Sequence, residues 1–380
     1  MEPVFSSEAV ERYRRHFALA GFGPERQAGL QAATVLVIGA GGLGCPALLY
    51  LAAAGVGRIV LLDPDRVEVS NLQRQVLFET GDVGQPKADA AERRLRALNP
   101  LLRVEAHAER FVRANARELV RTADVVVDGS DNFATRYLVN DACVLENRPW
   151  VYGAVQGFEG QASVFNWQGG PTYRCLFPQP PEPGTVLNCA EAGVLGVLPG
   201  MIGIVQATET IKLLTGLGEP LSGRLWLYDA LSQRVQTVAL ATDPKSRQIT
   251  DLPPDGYGEV CKTGRADSDA PPEEIEAADL RQMLVGGEHL QIIDVREGWE
   301  RATGSIKPSV HVALGLLETG DAEPLLAALD PAIPTVVYCA GGVRSLRAAR
   351  ILRESHRFRE ALSLRGGYHS WILRRPSAGA

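Results

Sequence analysis

At 380 residues the chain exceeds what one ordinary hydrophobic core fills, so two domains are expected before any motif is read. Its 39 basic and 45 acidic side chains form no basic block, which excludes the phosphate-neutralising surface of a nucleic-acid binder. Six scattered cysteines lack the dense spacing of a secreted disulfide scaffold, and the charged start lacks a signal peptide's apolar stretch, so a cytoplasmic protein with free thiols is expected.

In chain order, "TVLVIGAGGLG" is an apolar strand entering a glycine turn, "CPALLYLAAAG" continues at helical spacing, and "RIVLLDPD" is a second strand ending in acid. The uncharged run 32–57 is long enough to span a membrane, but Gly39, Gly41, Gly42, Gly44 and Pro46 break it, so no membrane partner is expected. "QPKADAAERRLRALNP" predicts a helix with proline in its first turn, and "ADVVVDGSDN" a buried strand. "PWVYGAVQG" and "GQASVFNW" continue the sheet, "PGMIGIVQATETIKLLTG" is a helix, and "GRLWLYDALSQRVQTVALA" predicts two strands joined by a turn.

Periodicity then stops. Residues 1–250 form the first expected domain, the Pro, Gly and acid rich segment 251–272 an exposed linker, and 273–380 a smaller α/β domain with strand runs "LQIIDVRE", "PTVVYCAGG" and "ALSLRGG".

Gly39-x-Gly41-Gly42-x-Gly44 follows a strand, opens a helix and is trailed by Asp63 at the end of the next strand. Such glycines let backbone approach phosphate at a helix N-terminus, and such an acid can bind a ribose hydroxyl. The motif alone says nucleotide and is commonest in NAD-dependent oxidoreductases. Its surroundings, "SNLQRQ" (Ser70, Asn71, Leu72, Gln73, Arg74, Gln75), Lys87, and Asp131-Asn132 after a strand end, favour a triphosphate with Mg²⁺ on the carboxylate. Hydride transfer has no use for two cations there. No P-loop occurs.

Together "GAGGLGCP", "YLAAAGVG", "SNLQRQ", "VGQPK", "DxxDNxxTR" and "CAEAGVLG…PG" resemble the ubiquitin-activating-enzyme-like adenylyltransferases of molybdopterin and thiamine biosynthesis, over residues 8–250. The resemblance implies a Rossmann-like fold that uses ATP and Mg²⁺ to adenylate the C-terminal glycine of a ubiquitin-like sulfur-carrier protein ending in Gly-Gly. By matching position, Gly41, Gly42, Asp63, Ser70, Asn71, Arg74, Lys87, Asp131 and Asn132 form the ATP site, with Asp131 on the metal. Arg15, in "RYRRH", matches an arginine that reaches the partner subunit's phosphates, which implies a homodimer. Cys189, in "LNCAEAG", is either an acyl acceptor or resolving thiol, or a small buried hydrophobe. The family's two Cys-x-x-Cys zinc pairs are broken: Thr172 precedes Cys175 in "TYRC" and "DPKSRQIT" has no cysteine, so zinc is expected to be absent.

In the second domain, Cys339 ends a strand and is followed by glycines and Arg344, which places a thiol where backbone N–H groups converge on an anion. With "IIDVREGWERATGSI" and "LRGGYHSW", residues 273–373 resemble the rhodanese sulfurtransferases. That resemblance implies that Cys339 carries a persulfide from a persulfide or thiosulfate donor, and that Arg344 binds the donor's anion. A non-catalytic scaffold that binds nucleotide and a ubiquitin-like protein is the alternative from another class, and an NAD-dependent oxidoreductase fused to a redox cysteine domain is the third reading.

Overall fold

Strand β1 (Thr34–Ile38) is a run of β-branched and leucine residues, nearly all fully buried, which is what a central parallel strand covered on both faces requires. It pairs in parallel with β2 (Arg58–Leu62) and with β4 (Val125–Asp128). The computed structural model describes residues 5–180, 193–253, 257 and 274–373. The chain divides into two units, Met1–Gly264 and Arg265–Ala380, and most of the expected linker lies outside the described residues.

The first unit is built on an eight-stranded sheet ordered β3-β2-β1-β4-β5-β6-β7-β8. Its parallel half adds β3 (Arg103–His107) and β5 (Trp150–Gln156); β6 (Glu159–Phe165), β7 (Arg224–Asp229) and β8 (Arg234–Ala239) continue it antiparallel. Helix Val197–Thr215 is, among the described residues, the one long and apolar enough to cross a membrane. Here it is a core helix: Gly203 packs so closely that a Cβ would sit 2.3 Å from the Leu43 carbonyl oxygen. From the same helix Gln206 donates to the carbonyls of Asp128 (2.6 Å) and Val151 (3.2 Å) beneath β4 and β5.

The second unit is a parallel five-stranded sheet ordered β11-β10-β12-β13-β9. Its strands are β9 (Glu274–Ile275), β10 (Gln291–Asp294), β11 (Val310–His311), β12 (Thr335–Tyr338) and β13 (Ala361–Leu364). Both units are α/β, as expected from the sequence.

Candidate active sites

In the first sheet the strand order reverses between β1 and β4, so the loops leaving Ile38 and Asp128 open side by side at the carboxyl edge, where doubly wound sheets bind ligands. The two loops are laced together, Gly129 N–H donating to the Ile38 carbonyl at 2.8 Å. Several glycines there are required by the chain itself. A Cβ at Gly44 would lie 1.9 Å from the Gly39 carbonyl oxygen, one at Gly129 2.7 Å from the same atom, and one at Gly42 3.0 Å from Pro199 Cβ. Gly39 sits at φ +92°, a backbone conformation that favours glycine. Gly41 differs: a Cβ would meet nothing closer than the Gly129 carbonyl oxygen at 3.7 Å, an ordinary contact, so no intramolecular clash demands glycine there.

Asp63 ends β2 with both oxygens engaged, Oδ2 accepting from Ala40 N–H (2.7 Å) and Oδ1 from Asp65 N–H (2.9 Å). Burial pushes its carboxyl above the usual range, and the charge of Lys87 opposes this. Lys87 is buried at the first position of helix Lys87–Leu98, 3.1 Å from Asp65 Oδ2. A cation at a helix N-terminus runs against the macrodipole, and burial makes it costlier. Asp65 and the nearby Asp63 offset part of this cost, and an anion at the lysine and the N-terminus together would offset more.

Within "SNLQRQ" the roles divide. Asn71 caps the turn, accepting from Glu68 N–H at 3.1 Å, and Ser70 Oγ donates to Glu68 Oε2 at 3.1 Å. Leu72 packs against the hydrophobic core, and Gln73 packs under Gly196, where a Cβ would lie 2.3 Å from the Gln73 carbonyl oxygen. Arg74 donates to the Ser70 carbonyl at 3.0 Å, and its stem passes over the glycine turn, with Cδ 3.5 Å from where a Gly42 Cβ would stand.

Beyond β4, Asn132 caps helix Phe133–Leu145 by accepting from Thr135 N–H at 2.9 Å, and Asp131 is exposed beside it. The loop is anchored by Asp128, the first residue of "DxxDNxxTR", to which the sequence assigned no role. Fully buried, it accepts from Ser130 N–H at 2.9 Å and faces Arg136 Nε at 3.8 Å; burial pushes its carboxyl up against the arginine's charge. Arg15 is exposed on helix Ser7–Phe17, and its side chain makes no hydrogen bond or ion pair among the described residues. Cys189 lies outside the described residues. Cys45 and Cys143 are buried; burial pushes the Cys45 thiol up to about 12.

The segment where zinc ligands would be sought is held by hydrogen bonds. Thr172 N–H and Asp243 N–H each donate to Cys175 Sγ at 3.3 Å, and Ser246 Oγ lies 3.1 Å from it. Burial pushes this thiol up, but its hydrogen bonds with Ser246, Asp243 and Thr172 outweigh it and hold the thiol below its ordinary value. One sulfur among hydroxyls and backbone amides does not fit a tetrahedral cysteine site for zinc.

The second site lies where β10 and β12 end side by side. Cys339 is 1% exposed, and its Sγ accepts from Gly342 N–H at 3.0 Å. The loop's outward carbonyls are tied down, Tyr368 N–H donating to the Cys339 carbonyl (2.7 Å) and His369 N–H to that of Ala340 (3.0 Å). This explains "LRGG": a Cβ at Gly367 would lie 2.4 Å from the Cys339 carbonyl oxygen. Beneath the loop, Ser345 and Ser363 share a 2.8 Å contact and both donate to the Gly342 carbonyl. Neither serine carries a signal that sequence reasoning could have used.

The floor of this site is a buried ion network. Asp294 accepts from Arg296 Nε (2.9 Å) and Nη2 (2.8 Å), from Arg301 Nη1 (3.1 Å) and from the Tyr338 hydroxyl (2.7 Å). Burial pushes its carboxyl up, and the Arg296 and Tyr338 bonds overcome this and hold it below the usual range. The Arg296 guanidinium lies over the Tyr368 ring at 4.2 Å, which ties helix Gly367–Leu373 to the segment that follows β10. Arg344 leaves the loop and forms two parallel bonds with Glu300.

A Rossmann-like crevice with a cationic phosphate-side wall, together with a thiol held in a backbone loop on a second sheet, defines a nucleotide-using enzyme with a sulfur-handling domain. The ThiF family pattern matches residues 13–249, and the rhodanese-like domain pattern matches residues 276–374. The probable adenylyltransferase/sulfurtransferase MoeZ of Mycobacterium tuberculosis is 44% identical over 380 residues, covering 98% of this chain and 95% of the relative. The sulfur carrier protein adenylyltransferase of Thermus thermophilus is 53% identical over 254 residues, 66% of this chain and 94% of that protein. Among solved structures, E. coli MccB crystallised with ATP is 25% identical with a TM-score of 0.52, over 61% of this chain and 72% of that one. The chain belongs to the ThiF family, joined to a rhodanese-like domain. It is an enzyme with adenylyltransferase and sulfurtransferase activities, and as a member of that family it uses ATP.

Proposed function

We propose that this enzyme adenylates the C-terminal glycine of a small ubiquitin-like sulfur-carrier protein and then delivers sulfur from Cys339 to give a thiocarboxylate. The observation that carries this reading is the pairing, in one chain, of a cation-lined glycine turn with a thiol enclosed by a backbone loop. The names of relatives support it: a sulfur carrier protein adenylyltransferase and, at 51% identity over 259 residues, the SAMP-activating enzyme E1 of Haloferax volcanii.

A carboxylate attacking a phosphate is an encounter of two anions, so positive charge must be preorganised around the triphosphate. Lys87 and Arg74 supply it, the open backbone at Gly41 gives the phosphates close approach, and Arg15 adds a third cation across a homodimer. Asp63 retains lone pairs for a ribose hydroxyl beyond those its two N–H partners use. Asp131 would hold Mg²⁺, whose chemistry is charge neutralisation on the phosphates; a hard cation shared between one carboxylate and phosphate oxygens suits an exposed acid at the sheet edge.

In the second half, the Cys339 thiolate attacks the sulfane sulfur of thiosulfate or the outer sulfur of a persulfide; that S–S bond breaks and sulfite or a thiolate leaves. The resulting persulfide attacks the acyl adenylate, the carbonyl C–O bond breaks and AMP leaves, joining carrier to Cys339 by an acyl disulfide. Cys189 then attacks Cys339 Sγ, releasing thiocarboxylate and leaving a Cys189–Cys339 disulfide for a cellular dithiol to reduce.

The test is the intact mass of Gly-Gly-ending carriers after incubation with the enzyme, Mg-ATP, thiosulfate and a reductant. Replacement of one oxygen by sulfur is expected. Pyrophosphate exchange without that shift would overturn the sulfur half alone, and absence of both would overturn the whole reading.

A further inference from the structure

The cation that a sulfur donor would meet is already occupied. Arg344 Nη1 donates to Glu300 Oε2 at 2.8 Å and Nη2 to Oε1 at 2.6 Å, with the two side chains only 18% and 11% exposed. Glu300 is itself held, its Oε2 accepting from Glu297 N–H at 2.8 Å on the short helix Gly298–Ala302. Its carboxyl is pushed up by burial, but Arg344 and the Glu297 N–H outweigh this and keep it below the usual range. It is therefore ionised through the neutral pH range. A parallel two-bond fork uses the same edge of the guanidinium that a sulfonate or other oxyanion would use. It also cancels the charge of Arg344 next to the thiol.

From this geometry we infer that Glu300 is a specificity-determining residue of the sulfur-transfer site, competing with small oxyanion donors for Arg344 and so lowering the site's affinity for them. The inference rests on the sulfur-transfer reading of Cys339, but its effect can be measured without turnover. Among the described residues only Arg344 is within ion-pairing distance of Glu300, so its release frees one guanidinium and no other cation.

The experiment is calorimetric titration of the full chain with thiosulfate in a Cys339→Ser background, with and without Glu300→Gln. Binding about tenfold tighter with Gln is expected, and the gain should vanish when Arg344→Ala is added. Glu300→Asp, which keeps the charge, should bind as weakly as the parent. In the Cys339-intact chain, Glu300→Gln should lower KM for thiosulfate by a similar factor with little change in kcat. Equal or weaker binding in Glu300→Gln, at unchanged melting temperature, would mean that the carboxylate only holds Arg344 in place, and the inference falls. Should the unsubstituted chain transfer no sulfur at all, the sulfur-transfer reading fails, while the binding ratio still decides whether Glu300 competes for the fork.

Discussion

The two sites hold their charges in opposite ways. In the second unit the buried charges around the thiol loop are paired: Asp294 with Arg296 and Arg301, and Glu300 with Arg344. In the first, Lys87 is buried at a helix N-terminus, ion-paired to the exposed Asp65 and within electrostatic reach of the buried Asp63, while Asp131 is exposed and the backbone at Gly41 is free of intramolecular crowding. A site proposed to carry sulfur on its own cysteine must be complete before any partner arrives. A site that receives a highly charged substrate can leave part of its electrostatics to that substrate. The same contrast governs what mutation does: changes at the first site should remove activity and leave the fold, whereas changes beneath the second should cost stability.

The largest effect should come from Lys87→Ala. Pyrophosphate exchange is expected to fall about 10²–10³-fold, while thiosulfate-to-cyanide sulfur transfer stays within about twofold, since that reaction uses only the second unit. Cys339→Ala should give the reverse. If either substitution removes both activities, the two sites are not energetically separate and the contrast drawn above is wrong.

Next in size is Asp294→Asn, which leaves two arginines facing a neutral amide in a buried site and should destabilise the second unit by about 3–5 kcal/mol. The pH dependence follows from the lowered carboxyl. Asp294 contributes stability above its unfolded value, near 4, and loses that contribution as pH falls through the lower folded value. Melting curves taken from neutral pH downwards should drop below about pH 4 in the parent and more shallowly in Asp294→Asn. Parallel curves would assign the acid sensitivity to other carboxylates.

The glycine turn offers the sharpest internal comparison. Gly44→Ala puts a Cβ 1.9 Å from the Gly39 carbonyl oxygen and should cost about 3 kcal/mol. Gly41→Ala meets only an ordinary contact, so melting should hardly change while KM for ATP rises about tenfold. Equal destabilisation by both would mean that Gly41 is structural and that no ligand-facing surface exists there.

Much of this was legible because the central strands report themselves. β1, β2 and β4 are continuous apolar runs, the signature of parallel strands buried on both faces, and each is followed by a glycine or acid that marks a carboxyl-edge loop. β3 was not read, because "RVEAH" lies at the sheet edge and mixes exposed and half-buried positions. β9 and β11 are two residues each, too short to show a period. Of the glycines, spacing named the turn, but only the packing distances separate Gly41 from Gly39, Gly42 and Gly44. Glu300 left no trace because its partner is 44 positions away and a glutamate on a short helix reads as surface. Asp128 and Arg136 are the first and last fixed positions of "DxxDNxxTR", but nothing in that spacing shows that the two face each other, the acid ending a buried strand and the arginine standing on the following helix.

The smallest expected effect concerns the segment around Cys175, where the sequence reads only as a broken zinc pattern. Thr172, Asp243 and Ser246 converge on one sulfur from two stretches far apart in sequence, so the cluster does the work of a cross-link with hydrogen bonds alone. Each such bond contributes about 1 kcal/mol net, and Ser246 also donates to the Asp243 carbonyl at 2.6 Å, so part of the clasp survives loss of the thiol. Cys175→Ala should therefore lower stability by about 1–2 kcal/mol, with adenylation and sulfur transfer both within about twofold of the parent. Metal analysis of the purified chain should find no stoichiometric zinc, and a chelator should not move its melting temperature. Stoichiometric zinc whose removal costs more than Cys175→Ala would mean that ligands outside this cluster complete a metal site, and the hydrogen-bonded clasp would then be only a fragment of it.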